Sequence, residues 1–165
     1  MKTIYLFLFL FGLTGWFVNR DHQLNIFKNY EEGLEIAQQN NQPIFLLFTG
    51  LECKNNESIQ AILQKDSLLQ DLLKAEFTNI WLFVDDRTLL PEKEIKLLDG
   101  KAIEISTFGQ KGGFLEMEKF GRNVQPLVAI LDENGNPVQE PKAFHELQGD
   151  LYDHVSAGLK SYRKK

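Results

Sequence analysis

The stretch Pro43 to Glu57, PIFLLFTGLECKNNE, decides how the chain folds. Ile44 to Phe48 is an unbroken apolar run, closed by Pro43 on one side and by Gly50 on the other. A run this short, bounded by turn residues, reads as a fully buried strand rather than a helix. Cys53, the only cysteine of the chain, follows in the next turn. Beyond it Ile59, Ile62 and Leu63 recur at helical spacing. A cysteine between a buried strand and a helix start sits where thiol chemistry is favoured. Free backbone N–H groups and the positive end of the helix dipole stabilise a thiolate.

The flanks extend this strand–loop–helix into an alternating pattern. Upstream, Asn29 and Glu32 are spaced as a capping box for a helix running to about Gln39, with Tyr30, Leu34 and Ala37 on one face. Asn40, Asn41 and Pro43 end it. Downstream, Leu69, Leu72 and Leu73 restart the helical spacing after a break near Asp66, with Ser67 and Gln70 as a second capping box. Ile80 to Val84 reads as another buried strand, ending at Asp85-Asp86. Adjacent carboxylates point to different sides of an extended chain. They read as a solvated strand end that caps the next turn rather than as an acid–base pair. Thr88 to Gly113 reads as a loop and a hairpin, and Gly109 to Gly113 as a turn, since the Gly-Lys-Ser/Thr of a phosphate loop is missing.

Phe114, Met117 and Phe120 mark one face of a short helix stopped by Gly121, and read as core packing. Leu127 to Leu131 is a third strand. Asn134-Gly135 signals a hairpin, with Val138 starting the returning strand. Asp150 caps a last helix that carries Leu151, Val155, Leu159 and Tyr162 on one face. The order is helix, strand, helix, strand, helix, strand, hairpin, strand, helix. It describes an α/β fold with a central mixed sheet and helices on both faces.

These pieces, in this order, resemble thioredoxin-like domains, and in particular the C-terminal domain of DsbD-type thiol:disulfide interchange proteins. The resemblance rests on the strand ending Phe48-Thr49-Gly50, then Cys53, Val84-Asp85-Asp86, Leu90-Pro91, the aromatic helix from Phe114 to Phe120, and Gln125-Pro126. It covers the chain from about Tyr30 to Lys160. It implies a thioredoxin-like fold, Cys53 as the nucleophile, and a peptide groove lined by Asn56, Gln125 and Pro126. It also implies a cis Gln125–Pro126 bond, for which the residues alone would suggest trans. Two departures stand out. Asn56 occupies the position of the resolving cysteine, and Leu47 that of a buried acid. One thiol cannot close on itself to release a partner, so a two-cysteine reductase is excluded.

Composition sets further bounds. A chain of 165 residues, 43% hydrophobic and 12% aromatic, supports one packed domain plus a short extra segment. A formal charge of −5 argues against a general nucleic-acid binder. The basic end, Lys160 and Arg163 to Lys165, reads as a helix C-terminus complementing its dipole. Met1-Lys2 followed by the apolar Ile4 to Val18 fits a signal-peptide core and is shorter than the about 20 residues of a spanning helix. Residues 1–18 are therefore expected to be a signal peptide or an uncleaved anchor in the inner membrane, and 19–165 the thioredoxin-like domain. Either way the protein is exported, to the periplasm or cell envelope. An unpaired cysteine there suggests a reactive thiol or intermolecular pairing, while a small buried hydrophobe is the competing reading.

His22, His145 and His154 lie at no metal-ligand spacing with Cys53 or one another, and His145 and His154 read as surface or helix-flank residues. No cofactor motif is present, and no metal site is expected. Two functions stay open. In one, Cys53 exchanges with a protein thiol or disulfide as a monothiol oxidoreductase. In the other, the fold is a redox-inactive module that holds a peptide or partner domain at the groove near Pro126.

Overall fold

The computed structural model describes residues 24–52, 54–147 and 150–164. The readings placed on residues 1–18, on His22 and on Cys53 itself fall outside them. Among the described residues seven strands and five α-helices follow in order: β1 (Ile26–Phe27), α1 (Tyr30–Asn40), β2 (Ile44–Thr49), α2 (Lys54–Lys65), α3 (Ser67–Glu76), β3 (Thr78–Phe83), β4 (Leu89–Leu98), β5 (Lys101–Thr107), α4 (Phe108–Phe120), β6 (Leu127–Leu131), β7 (Lys142–Ala143) and α5 (Leu151–Tyr162), with one 3-10 turn at Phe144–Glu146. The short β1 is an addition to the sequence reading; two residues give too little pattern to announce a strand.

Five strands form one mixed sheet in the order β1-β3-β2-β6-β7, and β4 and β5 form a separate hairpin. β2 is central. It runs parallel to β3, with Leu47 beside Trp81, and antiparallel to β6, with Leu47 beside Val128. Period-2 alternation sends its side chains into two cores. Phe45 and Leu47 pack with Ile59, Leu63, Leu69, Leu73, Val155 and Leu159 of α2, α3 and α5. Ile44, Leu46 and Phe48 pack with Ala37 of α1 and with Leu115 and Phe120 of α4. Every β2 side chain from Ile44 to Phe48 is fully buried. Each contributes roughly 1.5–3 kcal/mol, which is why the apolar run dictates the centre of the sheet.

The caps explain where the helices begin. Asn29 accepts from the Glu32 N–H at 3.0 Å. Asp150 does the same for Asp153 at 3.1 Å. The start of α3 corrects the expected cap: Asp66, not Ser67, is the N-cap, accepting from the Leu69 N–H at 3.0 Å. Gln70 instead reaches back to the Leu63 and Gln64 carbonyls at 2.6 and 3.0 Å, closing the end of α2.

The segment 109–113 is helix, not turn. Thr107 and Gln110 form a capping box that starts α4 at Phe108, six residues before Phe114. Gly109 sits where a Cβ would lie 2.6 Å from the Asp86 carbonyl oxygen. Gly109 therefore lets the first turn of α4 approach the end of β3. Phe114 and Met117 do not enter the main core either. They line a groove with Leu98, Ile103 and Ile105 of the hairpin. The real hairpin turn is Asp99-Gly100, both at positive φ (50° and 77°), as a tight two-residue turn requires.

The Asn134-Gly135 turn is present, with Gly135 at φ 81°. It is a longer loop than a two-residue turn, built on the Asp132 carboxylate, which accepts from the Asn134 and Asn136 N–H groups. The return begins as a lone bridge at Pro137 and resumes only at Lys142–Ala143. Pro141 lacks the N–H a continuous ladder needs. His154, expected to be a surface or helix-flank residue, is buried on α5.

Candidate functional site

The carboxyl end of β2 and the amino end of β6 meet at one edge of the sheet. Phe48 pairs with Leu127, so the register continued by one residue sets Thr49 opposite Pro126. The loop after β2 therefore runs beside the Gln125–Pro126 segment. That peptide bond is cis. Pro126 is buried, and its carbonyl accepts from the Phe144 N–H at 2.8 Å, which secures the segment on the β7 side.

A carboxylate holds the loop that precedes Cys53. Asp85, just past the end of β3, accepts from the Leu51 N–H at 2.7 Å and from the Glu52 N–H at 3.2 Å. Charge-assisted bonds of this type are about twice as strong as neutral ones. α2 begins at Lys54, so the two amides held by Asp85 are those immediately before Cys53 and the helix. The role of Asp85 was not apparent from the sequence. Its only signal was a carboxylate at the end of the strand neighbouring β2, where parallel strands deliver their loops to the same edge. Asp86 does what was expected of a strand-end acid. It accepts from the Thr88 N–H at 2.8 Å, and its bonds to Thr88 hold its carboxyl below the usual range.

Asn56 lies in the first turn of α2 and is buried. Its Oδ1 accepts from Thr49 Oγ1 at 3.1 Å and from Gln60 Nε2 at 3.3 Å. Asn56 is thus spent on pinning the start of α2 to the end of β2. Leu47 is a fully buried member of the core under α2, α3 and α5, with no ionisable group at its place.

The buried acid of this edge comes from another element. Glu116 on α4 is fully buried. One of its oxygens accepts from the Val124 N–H at 2.8 Å, the other from Gln125 Nε2 at 2.6 Å. Burial pushes its carboxyl up, and the two donated bonds pull it part of the way back. Gln125 is partly exposed, and its NH2 also lies 3.5 Å from Asn123 Oδ1. The Gln125–Pro126 segment is accordingly fixed from the α4 side as well. Sequence periodicity hid Glu116, because a glutamate on an amphipathic helix reads as an outward residue.

With this geometry in hand, similarity to solved structures decides the architecture. A structure described as a DsbH oxidoreductase superposes with a TM-score of 0.56 at 18% identity, covering 87% of each chain. The fold is thioredoxin-like. A thioredoxin-fold protein from Helicobacter pylori gives a TM-score of 0.42 at 17% identity, covering 76% of this chain and 84% of that one. No family model and no curated protein matches the sequence. In this chain the β2–α2 junction and the cis-proline segment stand at the same edge, with Asp85, Asn56 and Glu116 as their fixing groups. Among the described residues no helix is long and apolar enough to cross a membrane.

Proposed function

We propose that the chain is a cell-envelope protein that uses Cys53 as a lone nucleophile in thiol–disulfide exchange with a protein partner. The Cys53 thiolate attacks one sulfur of the partner's disulfide. A new S–S bond forms, the old one breaks, and its electron pair leaves on the partner's other sulfur as thiolate. Asn56 supplies no second thiol, so release of the mixed disulfide needs an external thiol such as another thioredoxin. Gln125 and Pro126 line the groove that receives the partner's backbone.

The observation that carries this reading is the Asp85 clasp on the Leu51 and Glu52 amides, directly before Cys53 and the start of α2. A dedicated carboxylate there supports a fixed loop at the strand–helix junction, where thiols of this fold react. The likeness to DsbD-type C-terminal domains, carried by Phe48-Thr49-Gly50, Val84-Asp85-Asp86 and Gln125-Pro126, supports the same assignment. Residues 4–18 give the export signal or membrane anchor, and 19–165 the working domain.

A redox-inactive binding module is the second reading. The observations that favour it are the Asn56 side chain, turned to Thr49 and Gln60, and Leu47, absorbed by the core.

The pH dependence of Cys53 alkylation separates the two. A rate already saturated near about pH 7 means a depressed thiol pKa and a poised nucleophile. A rate still climbing through about pH 8.5, the ordinary thiol value, supports the binding module. Covalent capture of a cellular partner, abolished by Cys53→Ser, is the corresponding test in cells. No captured species would count against thiol exchange.

A further inference from the structure

Glu116 and Gln125 carry a consequence for which partner the groove accepts. Two donors converge on the Glu116 carboxylate: the Val124 N–H at 2.8 Å and the Gln125 side-chain NH2 at 2.6 Å. The first is backbone and cannot turn. The second belongs to an amide with two ends, NH2 and carbonyl, related by a half-rotation. In its ionised form Glu116 is acceptor-only, so Gln125 offers it the NH2, as the 2.6 Å contact from Nε2 shows. Its carbonyl oxygen is the end left over. Among the described residues nothing donates to that oxygen, while Gln125 is partly exposed beside the cis-proline. A site fully buried at one end and open at the other thus has its polarity set from inside.

We propose that Glu116 is a positioning residue that turns the Gln125 carbonyl toward the groove, so that the groove selects a peptide segment presenting a hydrogen-bond donor there. The inference rests on the thiol-exchange reading for its ligand, an extended peptide around a disulfide-bonded cysteine. Its stereochemical part, the orientation of the Gln125 amide, does not depend on that reading.

Glu116→Gln tests the orientation. Its amide carries one acceptor and one NH2. The fixed Val124 N–H claims the acceptor, and the new NH2 needs an acceptor in turn. Gln125 supplies one by flipping, which turns its own NH2 outward. Hydrogen exchange of the Gln125 side-chain amide, followed by NMR, should be slow in the unmodified protein and fast in Glu116→Gln. Equal exchange in both overturns the proposal.

Selectivity is read with a short cysteine peptide activated as its mixed disulfide with 5-thio-2-nitrobenzoate. Cys53 attacks the peptide sulfur and the coloured thiolate leaves, so absorbance gives the rate. Replacing backbone amides of the peptide by esters, one at a time, removes one N–H donor each. The unmodified protein should slow roughly fivefold at one position, the worth of one hydrogen bond. Glu116→Gln should show less than about a twofold loss at that position, because its outward NH2 no longer needs that donor. Gln125→Met, a change at a partly exposed residue, should lose the discrimination in the same way and covers a fold failure of Glu116→Gln. Equal ester penalties in all three proteins overturn the selectivity with Cys53 chemistry intact. No reaction with any activated peptide overturns the thiol-exchange reading and the selectivity built on it, and amide exchange still decides the orientation.

Discussion

His154 should make the fold acid-sensitive, and the size of the effect follows from its surroundings. The side chain lies on α5 and is 9% exposed. Its pKa is lowered from 6.5 to about 4, first by burial and then by the Lys142 charge, against a hydrogen bond to the Val128 backbone. The folded protein therefore holds a neutral imidazole at pH values where the unfolded chain binds a proton. The unfolded state takes up more protons between the two values, so stability is intact above about pH 6.5 and declines as pH falls toward about 4. One pKa unit is worth about 1.4 kcal/mol, which makes the loss roughly 2 kcal/mol between about pH 7 and pH 5, and roughly 3 kcal/mol by about pH 4. Other groups also titrate in this range, so the comparison is with His154→Gln, which keeps a polar group beside Gln139 but cannot charge. Chemical denaturation at the two pH values should show the unmodified protein losing about 2 kcal/mol more than the variant. Parallel losses, or an NMR titration of His154 near 6.5, would refute the argument that burial holds the ring neutral.

Three further changes probe the elements that build the site. Gly109→Ala places a methyl 2.6 Å from the Asp86 carbonyl oxygen and 2.7 Å from the Val84 oxygen. Backbone cannot step aside cheaply, so stability to denaturant should fall by about 1–3 kcal/mol, toward the upper end, and an unchanged midpoint would refute the close approach. Asp85→Ala frees the Leu51 and Glu52 amides. Asp85 is exposed, so global stability should change by less than about 2 kcal/mol, whereas hydrogen exchange at Leu51 and Glu52 should accelerate at least about tenfold. Asn56→Cys gives up the bonds to Thr49 and Gln60, at about 1 kcal/mol each, and puts a second thiol in the first turn of α2. Mild oxidation should close a disulfide with Cys53, seen as loss of both free thiols. A variant that closes this disulfide yet, once re-reduced to the dithiol, fails to reduce a disulfide substrate would trace the remaining deficit to Leu47 and its surroundings.

Much of this architecture was legible in the chain itself. Local interactions suffice for the caps at Asn29 and Asp150, and the apolar run Ile44 to Phe48 can only be satisfied by burial on both faces, which makes it the central strand. The break near Asp66 and the identity of Cys53 as the single thiol are equally local facts. What only the tertiary structure decided depends on residues far apart in sequence. Gly109 to Gly113 look like a turn because glycine favours turns. They are helical because Thr107 and Gln110 cap the segment and because Gly109 must pass close to the end of β3. Asp85 and Glu116 look like solvated acids, since a carboxylate on a strand end or an amphipathic helix ordinarily faces water. They become fixing groups because the parallel pairing of β2 with β3 brings Asp85 to the Leu51–Glu52 amides, and because the chain turns back at Gly121 after α4 and carries Val124 and Gln125 to Glu116. His154 is buried for the same kind of reason, the seating of α5 against β6. Periodicity records which face of an element is apolar; the donors that meet a given carboxylate are set by which elements pack together.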